Sequence, residues 1–103
     1  MKKLFNITFN VEDDVRDEWL RYMEEEFVPK MTRSGLLRDA LLTELLLNEP
    51  QGTSYALQFV SDSPESLRQF FERELDSILS DHRQRFGDRV VFFPTTMKII
   101  RRF

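Results

Sequence analysis

His82 is the only histidine in the chain, and imidazole is the side chain whose ordinary titration lies nearest neutral pH, so acid–base chemistry is tested there first. It falls on the apolar stripe of a helical stretch, which favours a packed or boundary histidine satisfying one polar atom, with a site role as the alternative. A zinc or iron centre needs three or four converging ligands. With no cysteine and a single histidine, several carboxylates would have to complete the shell, and no such spacing is present. No metal and no cofactor are therefore expected. No serine, histidine and aspartate arrangement carries a nucleophile-elbow signature, and Gly35, Gly52 and Gly87, the only glycines, form no phosphate loop.

A second set of residues is better placed. Asn6, Thr8 and Asn10 alternate with apolar neighbours, and Gln58 does the same later in the chain. Amides and hydroxyls on one face of a sheet that met a partner would line an enclosed polar cavity able to orient a small ligand. Arg38 and Glu44 join that strip if Arg38, Ala40, Leu42 and Glu44 share its face. The competing explanation is a solvated sheet face, which antiparallel sheets commonly carry.

These residues need elements to hold them. Leu4 to Val11 alternates strictly, with Phe5, Ile7, Phe9 and Val11 opposite the polar set, as in a half-buried strand. From Asp13 or Asp14, either a plausible N-cap, Val15, Trp19, Tyr22 or Met23, and Phe27 fall at helical intervals, and Pro29 ends this helix or caps it within a turn. Gly35 to Leu47 is ambiguous. Leu36, Leu37, Ala40, Leu41 and Leu45 also fit a helix, but the following Tyr55, Leu57 and Phe59 alternate as a strand that needs a partner. A hairpin through Asn48, Pro50 and Gly52 supplies one, and we favour it. Ser63, Pro64 and Glu65 then open a helix whose stripe runs Leu67, Phe70, Phe71, Leu75, Ile78, Leu79, His82, Phe86, with Gly87 as its C-terminal cap. Arg89 to Phe93 is a last strand, and Pro94 makes it an edge or breaks it.

The order is βαββαβ, so the predicted fold class is α+β, ferredoxin-like: a four-stranded antiparallel sheet with two helices on one face. One domain, 1–103, accounts for the length of 103 residues. Trp19 is expected as a core anchor, packing with Phe71, Leu75 and Ile78 against the apolar faces of the first and third strands. The second and fourth strands present leucine, valine and phenylalanine on both sides, more than two helices cover. A homodimer through the free face or the edge strands is the expected remedy, with Leu42 and Phe93 as the residues to replace by a charge. The net charge is −3, the acidic run from Glu12 to Glu26 repels phosphates, and Tyr55 to Phe59 only faintly echoes an RNA-binding strand, so no nucleic acid is expected. No apolar run spans a membrane, and the Met-Lys-Lys start leads into alternation instead of a signal-peptide core, so the expected location is cytoplasmic.

Ile7-Thr8-Phe9-Asn10-Val11, Asp17-Glu18-Trp19-Leu20 with Met23, and Phe27-Val28-Pro29 resemble the first half of a bacterial family known as domain of unknown function 4286. Ser54-Tyr55-Ala56-Leu57-Gln58-Phe59 and His82-Arg83-Gln84-Arg85-Phe86-Gly87-Asp88-Arg89-Val90-Val91 resemble its second half. The resemblance implies a ferredoxin-like domain of the dimeric α/β-barrel type, in which two sheets face each other. It implies no activity. Some barrels of this shape are cofactor-independent monooxygenases or haem-degrading enzymes, the latter using an asparagine on the first strand with a tryptophan and a histidine near the cavity. Asn6 or Asn10 would be that asparagine, although Trp19 and His82 lie elsewhere on the helices. The leading expectation is a homodimer of uncharacterised role, either without catalysis of its own or binding a small ligand in a cavity between sheet faces; the alternative is a cofactor-free monooxygenase-like or haem-degrading enzyme on the same scaffold.

Overall fold

The computed structural model describes residues 2–47 and 51–103, so Asn48 and Pro50 of the expected hairpin turn lie outside the described residues. The alternating segment forms β1 (Lys3–Val11), with Phe5, Ile7, Phe9 and Val11 buried and the even residues half-exposed. A first helix, α1, covers residues 13–32. It is followed by β2 (Arg38–Glu44), β3 (Thr53–Ser61), a second helix, α2, over residues 64–86, and β4 (Val90–Lys98). All pairings are antiparallel in the order β2-β3-β1-β4. The two central strands are thus β1 and β3, their apolar sides turn to α1 and α2, and the fold is ferredoxin-like. Among the described residues no helix is long and apolar enough to cross a membrane.

One local expectation is corrected, and the alternatives left open at the two prolines are decided. Neither Asp13 nor Asp14 is the N-cap. Glu12 occupies that position without a side-chain bond to the helix, because the acids are drawn to Arg89 instead: Arg89 Nε donates to Glu12 Oε2 at 2.9 Å, and the guanidinium also pairs with Asp14. Of the two alternatives at Pro29 the second holds, since the helix closes within a turn of it, at Thr32. A single wide turn at Met23–Phe27 interrupts the regular ladder just before it. Proline therefore enters in the first turn of a renewed helical segment, where a missing N–H costs nothing. Pro94 does not break the last strand, since β4 is an edge and pairs with β1 from Val90 through Lys98.

The ambiguous leucine-rich stretch is a strand. Gly35, at φ +81, turns the chain out of α1, and its N–H donates to the Thr32 carbonyl at 3.1 Å. β2 then pairs with β3, which would otherwise be an uncovered edge. Ser63 opens α2 as expected, its hydroxyl accepting from the Ser66 N–H at 3.1 Å, with Pro64 beside it. Gly87 closes it at φ +53.

Gly52 starts the return into β3 at φ +73, and a Cβ there would lie 2.7 Å from the Val11 carbonyl oxygen and 2.9 Å from Asn10 Oδ1. Both the left-handed backbone and the close approach exclude a side chain. Gly52→Ala is expected to cost about 2–3 kcal/mol, measured as a lowered urea midpoint with an unchanged slope.

On the helix side, Phe9 is surrounded by Trp19, Phe27, His82 and Phe92, with ring centroids 5.0 to 5.9 Å away. Phe5 meets Phe71 edge-on at 5.1 Å. Trp19 is fully buried, as is Phe70, and Ile78 nearly so. The stripe read from the α2 sequence is the face that packs.

Candidate functional site

The register sets out the free face of the sheet row by row. Asn6 stands between Gln58 of β3 and Thr95 of β4, with Leu41 of β2 beyond Gln58. One row along, Thr8 stands between Ala56 and Phe93, with Thr43 beyond Ala56. Asn10 stands between Ser54 and Val91. A further row holds Leu4, Val60, Met97 and Arg38. Asn6, Thr8, Asn10 and Gln58 are therefore brought onto one surface, as the alternation required.

Hydrogen bonds organise this strip. Asn6 Nδ2 donates to Thr8 Oγ1 at 3.0 Å along β1, and Asn10 Nδ2 donates to Ser54 Oγ at 3.2 Å across to β3. Such bonds fix the amide orientations and leave a patterned, uncharged surface of donors and acceptors. Thr95 and Ser54 belong to it and were missed. Thr95 lies past Pro94, where a proline on an edge strand does not interrupt the alternation Val91, Phe93, Thr95, Met97.

The second strand departs from the simple alternation. A bulge between Arg38 and Leu41, with Asp39 at φ +54, inserts an extra residue into β2. Parity flips across it. Arg38, Leu41 and Thr43 share the free face, whereas Leu42 pairs with Leu57 and Glu44 with Tyr55 on the helix side. Arg38, Ala40, Leu42 and Glu44 thus do not form one face, Glu44 does not join the strip, and Leu42 packs against the core. Arg38 lies at the margin, held by Asp62: its Nη2 and Nε reach Asp62 Oδ1 at 2.6 and 3.0 Å, and Nη1 reaches Asp39 Oδ2 at 2.5 Å. Those hydrogen bonds hold the Asp62 carboxyl below its ordinary range. Arg38 is the only ionisable residue in these rows, so the strip can bind and orient but holds no group to exchange a proton near neutral pH.

Large apolar side chains flank the polar strip on both sides. Leu41 is 55% exposed on the β2 side, and Val91 and Phe93 are each 60% exposed on the β4 side.

His82 sits on the other side of the sheet and is fully buried. Trp19 Nε1 donates to His82 Nε2 at 3.1 Å, which makes Nε2 the acceptor and places the ring proton on Nδ1. Among the described residues Nδ1 has no hydrogen-bond partner, because aromatic rings enclose it: Phe9, Tyr22, Phe27, Phe86 and Phe92 have centroids 5.1 to 6.1 Å away. Burial, with a smaller contribution from Arg83, pushes its pKa down to about 4. It is a neutral core histidine that satisfies one polar atom. Asn6 and Asn10 face away from Trp19 and His82 across the sheet, so the asparagine, tryptophan and histidine of a haem-degrading site are not assembled, and these residues do not fit haem.

Solved structures share this architecture. A cofactor-independent oxygenase, SnoaB, from Streptomyces nogalater superposes with a TM-score of 0.67 at 12% identity, over 98% of this chain and 95% of that one. A dimeric ferredoxin-like protein from an uncultured marine organism gives 0.69 at 14%, over 100% and 98%. An ethyl tert-butyl ether d family protein from Bacillus halodurans gives 0.62 at 18%, over 90% and 96%. At these identities the likeness is one of fold. No curated protein matches the sequence. Residues 2–100 match the family described as a domain of unknown function, DUF4286, and the chain belongs to that family.

Proposed function

We propose that this protein works as a cytoplasmic homodimer whose two sheets face each other and enclose a pocket for a small, uncharged, hydroxyl- or carbonyl-bearing ligand. One observation carries the reading: a neutral hydrogen-bonding strip, Gln58–Asn6–Thr95 with Thr8 and Asn10, lies between exposed apolar borders at Leu41 and at Val91 and Phe93. A merely solvated face has no use for those borders, whereas a partner sheet about 10 Å away would cover them and leave the shorter polar residues lining a gap. The absence of an ionisable group in the middle of the strip favours binding over catalysis. That one related structure is of a dimeric protein agrees with the assembly.

Dihydroxynaphthalene, with naphthalene disulfonate as a charged control, tests the pocket. The expected result is saturable perturbation of the Asn6 and Gln58 side-chain amide NMR signals by the neutral compound alone, lost in Asn6→Ala. Equal response to both compounds, or persistence in the variant, would count against the strip as a binding surface.

A further inference from the structure

The end of the sheet where β1 begins and β4 finishes gathers cations. Lys3 stands directly opposite Lys98 in the β1–β4 register, with Lys2 before the one and Arg101 and Arg102 shortly beyond the other. Lys3 is half-buried and the other four are exposed. Among the described residues none of them forms an ion pair. Like charges facing each other across a ladder repel. Two carboxylates of that end are already engaged: Asp62, close enough to Lys2 to feel its charge, is held by Arg38 at 2.6 Å, and Glu65 is held by Arg68.

The rest of the molecule has the opposite sign. The whole chain holds 15 basic and 18 acidic side chains, so the acids outnumber the bases heavily once this end is set aside. At the far end of β1 the chain passes from Val11 into Glu12, Asp13 and Asp14, about 27 Å away along the strand. That is about three Debye lengths at physiological salt, so those acids do not repel an anion held at the basic end. Two large apolar side chains stand among the cations. Ile100 is 76% exposed and Phe103 fully so, in a segment, 99–103, that follows β4 without regular structure.

We infer that this end of the protein docks on an anionic lipid surface, its cations against the headgroups and Ile100 and Phe103 entering the boundary with the acyl chains. Charge alone would suit any polyanion. The interleaving of arginines with an aliphatic and an aromatic side chain, both free of the fold, favours a partner that offers negative charge and an apolar phase together. The cations also lie across the end of one sheet, where a plane meets all of them at once. Each basic residue near such a surface strengthens binding about fivefold. The apolar pair adds the second contribution that lasting attachment needs. The free face and its polar strip take no part.

Cosedimentation of the full chain with vesicles tests this. At about 0.1 M salt the protein is expected to bind vesicles of phosphatidylcholine mixed with phosphatidylserine, and to leave vesicles of phosphatidylcholine alone. Raising the salt to about 0.5 M is expected to release it. Arg101→Gln with Arg102→Gln is expected to weaken partitioning about ten- to thirtyfold, and Phe103→Ser about fivefold. Neither changes the urea midpoint, since these residues lie beyond the regular structure. Arg16→Gln with Arg21→Gln makes the same change of charge on α1 and is expected to leave binding as it was. Equal binding to both kinds of vesicle, an equal loss from the α1 pair, or a Phe103→Ser chain that binds as tightly as the unaltered one would overturn the assignment. So would tighter binding, at the same salt, to a fluorescent single-stranded oligonucleotide of about 20 nucleotides, which would make nucleic acid the partner of these cations.

Discussion

A chain carrying Phe93→Glu is expected to sediment at the mass of one copy at concentrations where the unaltered protein sediments as two. Phe93 stands beside Thr8 on the free face and is largely uncovered within the protomer, so its replacement removes little from the core. In the assembly each two-fold related copy would bury its ring against the facing sheet. Full burial of a phenylalanine contributes about 1.5–3 kcal/mol, and the symmetry counts the loss twice. A carboxylate there must also be desolvated without a cationic partner, since Arg38 is occupied by Asp62 and Asp39. Together these raise the dissociation constant by about a hundredfold or more. Leu41→Glu is expected to act in the same direction with a smaller effect. Leu42→Glu is different, because Leu42 packs on the helix side: it is expected to lower the urea midpoint of the fold. Light scattering and denaturation, run on all three variants, separate the two outcomes. An unaltered protein that scatters as one chain at micromolar concentration would end the dimer reading.

The second large effect is on stability below neutral pH. His82 has its pKa lowered from an ordinary 6.5 to about 4, chiefly by burial. Above pH 6.5 neither the folded nor the unfolded chain protonates it, and it contributes no pH dependence. Between pH 6.5 and 4 the unfolded chain takes up a proton that the aromatic enclosure refuses. Stability therefore falls as pH drops through that window, by about 1.4 kcal/mol per unit and about 3 kcal/mol in all. The carboxylates with lowered pKa act elsewhere. Asp62 and Glu65, held down by hydrogen bonds from Arg38 and Arg68, contribute stability that is present above their ordinary values of 3.8 and 4.5 and lost as pH falls through their folded ones. Urea unfolding at pH 7 and pH 5 thus reports His82 with little interference. His82→Gln, which keeps an oxygen to accept from Trp19 Nε1, is expected to flatten the decline. A slope unchanged by that variant would show that another group takes up the proton.

Much of this protein follows from its amino-acid order. The strict alternation around Asn6, Thr8 and Asn10 determined β1, its buried side and its polar side, because a period of two has only one half-buried solution. Ser63-Pro64 and Gly87 set the ends of α2 through capping chemistry that needs no tertiary partner. The stripe containing His82 already marked that histidine as a packing residue. The leucine-rich second segment lacked this clarity, since its spacing suits either a helix or a strand, and only pairing with β3 decides it. Three features belong to the tertiary structure alone. The wide turn of α1 at Met23–Phe27 precedes Pro29, so the proline falls in the first turn of a renewed helical segment while Met23, Phe27 and Met31 all stay buried. The bulge at Asp39 reverses the sides of Leu42 and Glu44, and a single inserted residue leaves no trace in a hydrophobicity pattern. Thr95 completes the polar row because β4 lies at an edge, where a proline's missing donor has no partner to disappoint. Local spacing specifies which residues alternate or repeat; which strand is an edge, and which side faces the helices after an irregularity, depends on neighbours distant in the chain.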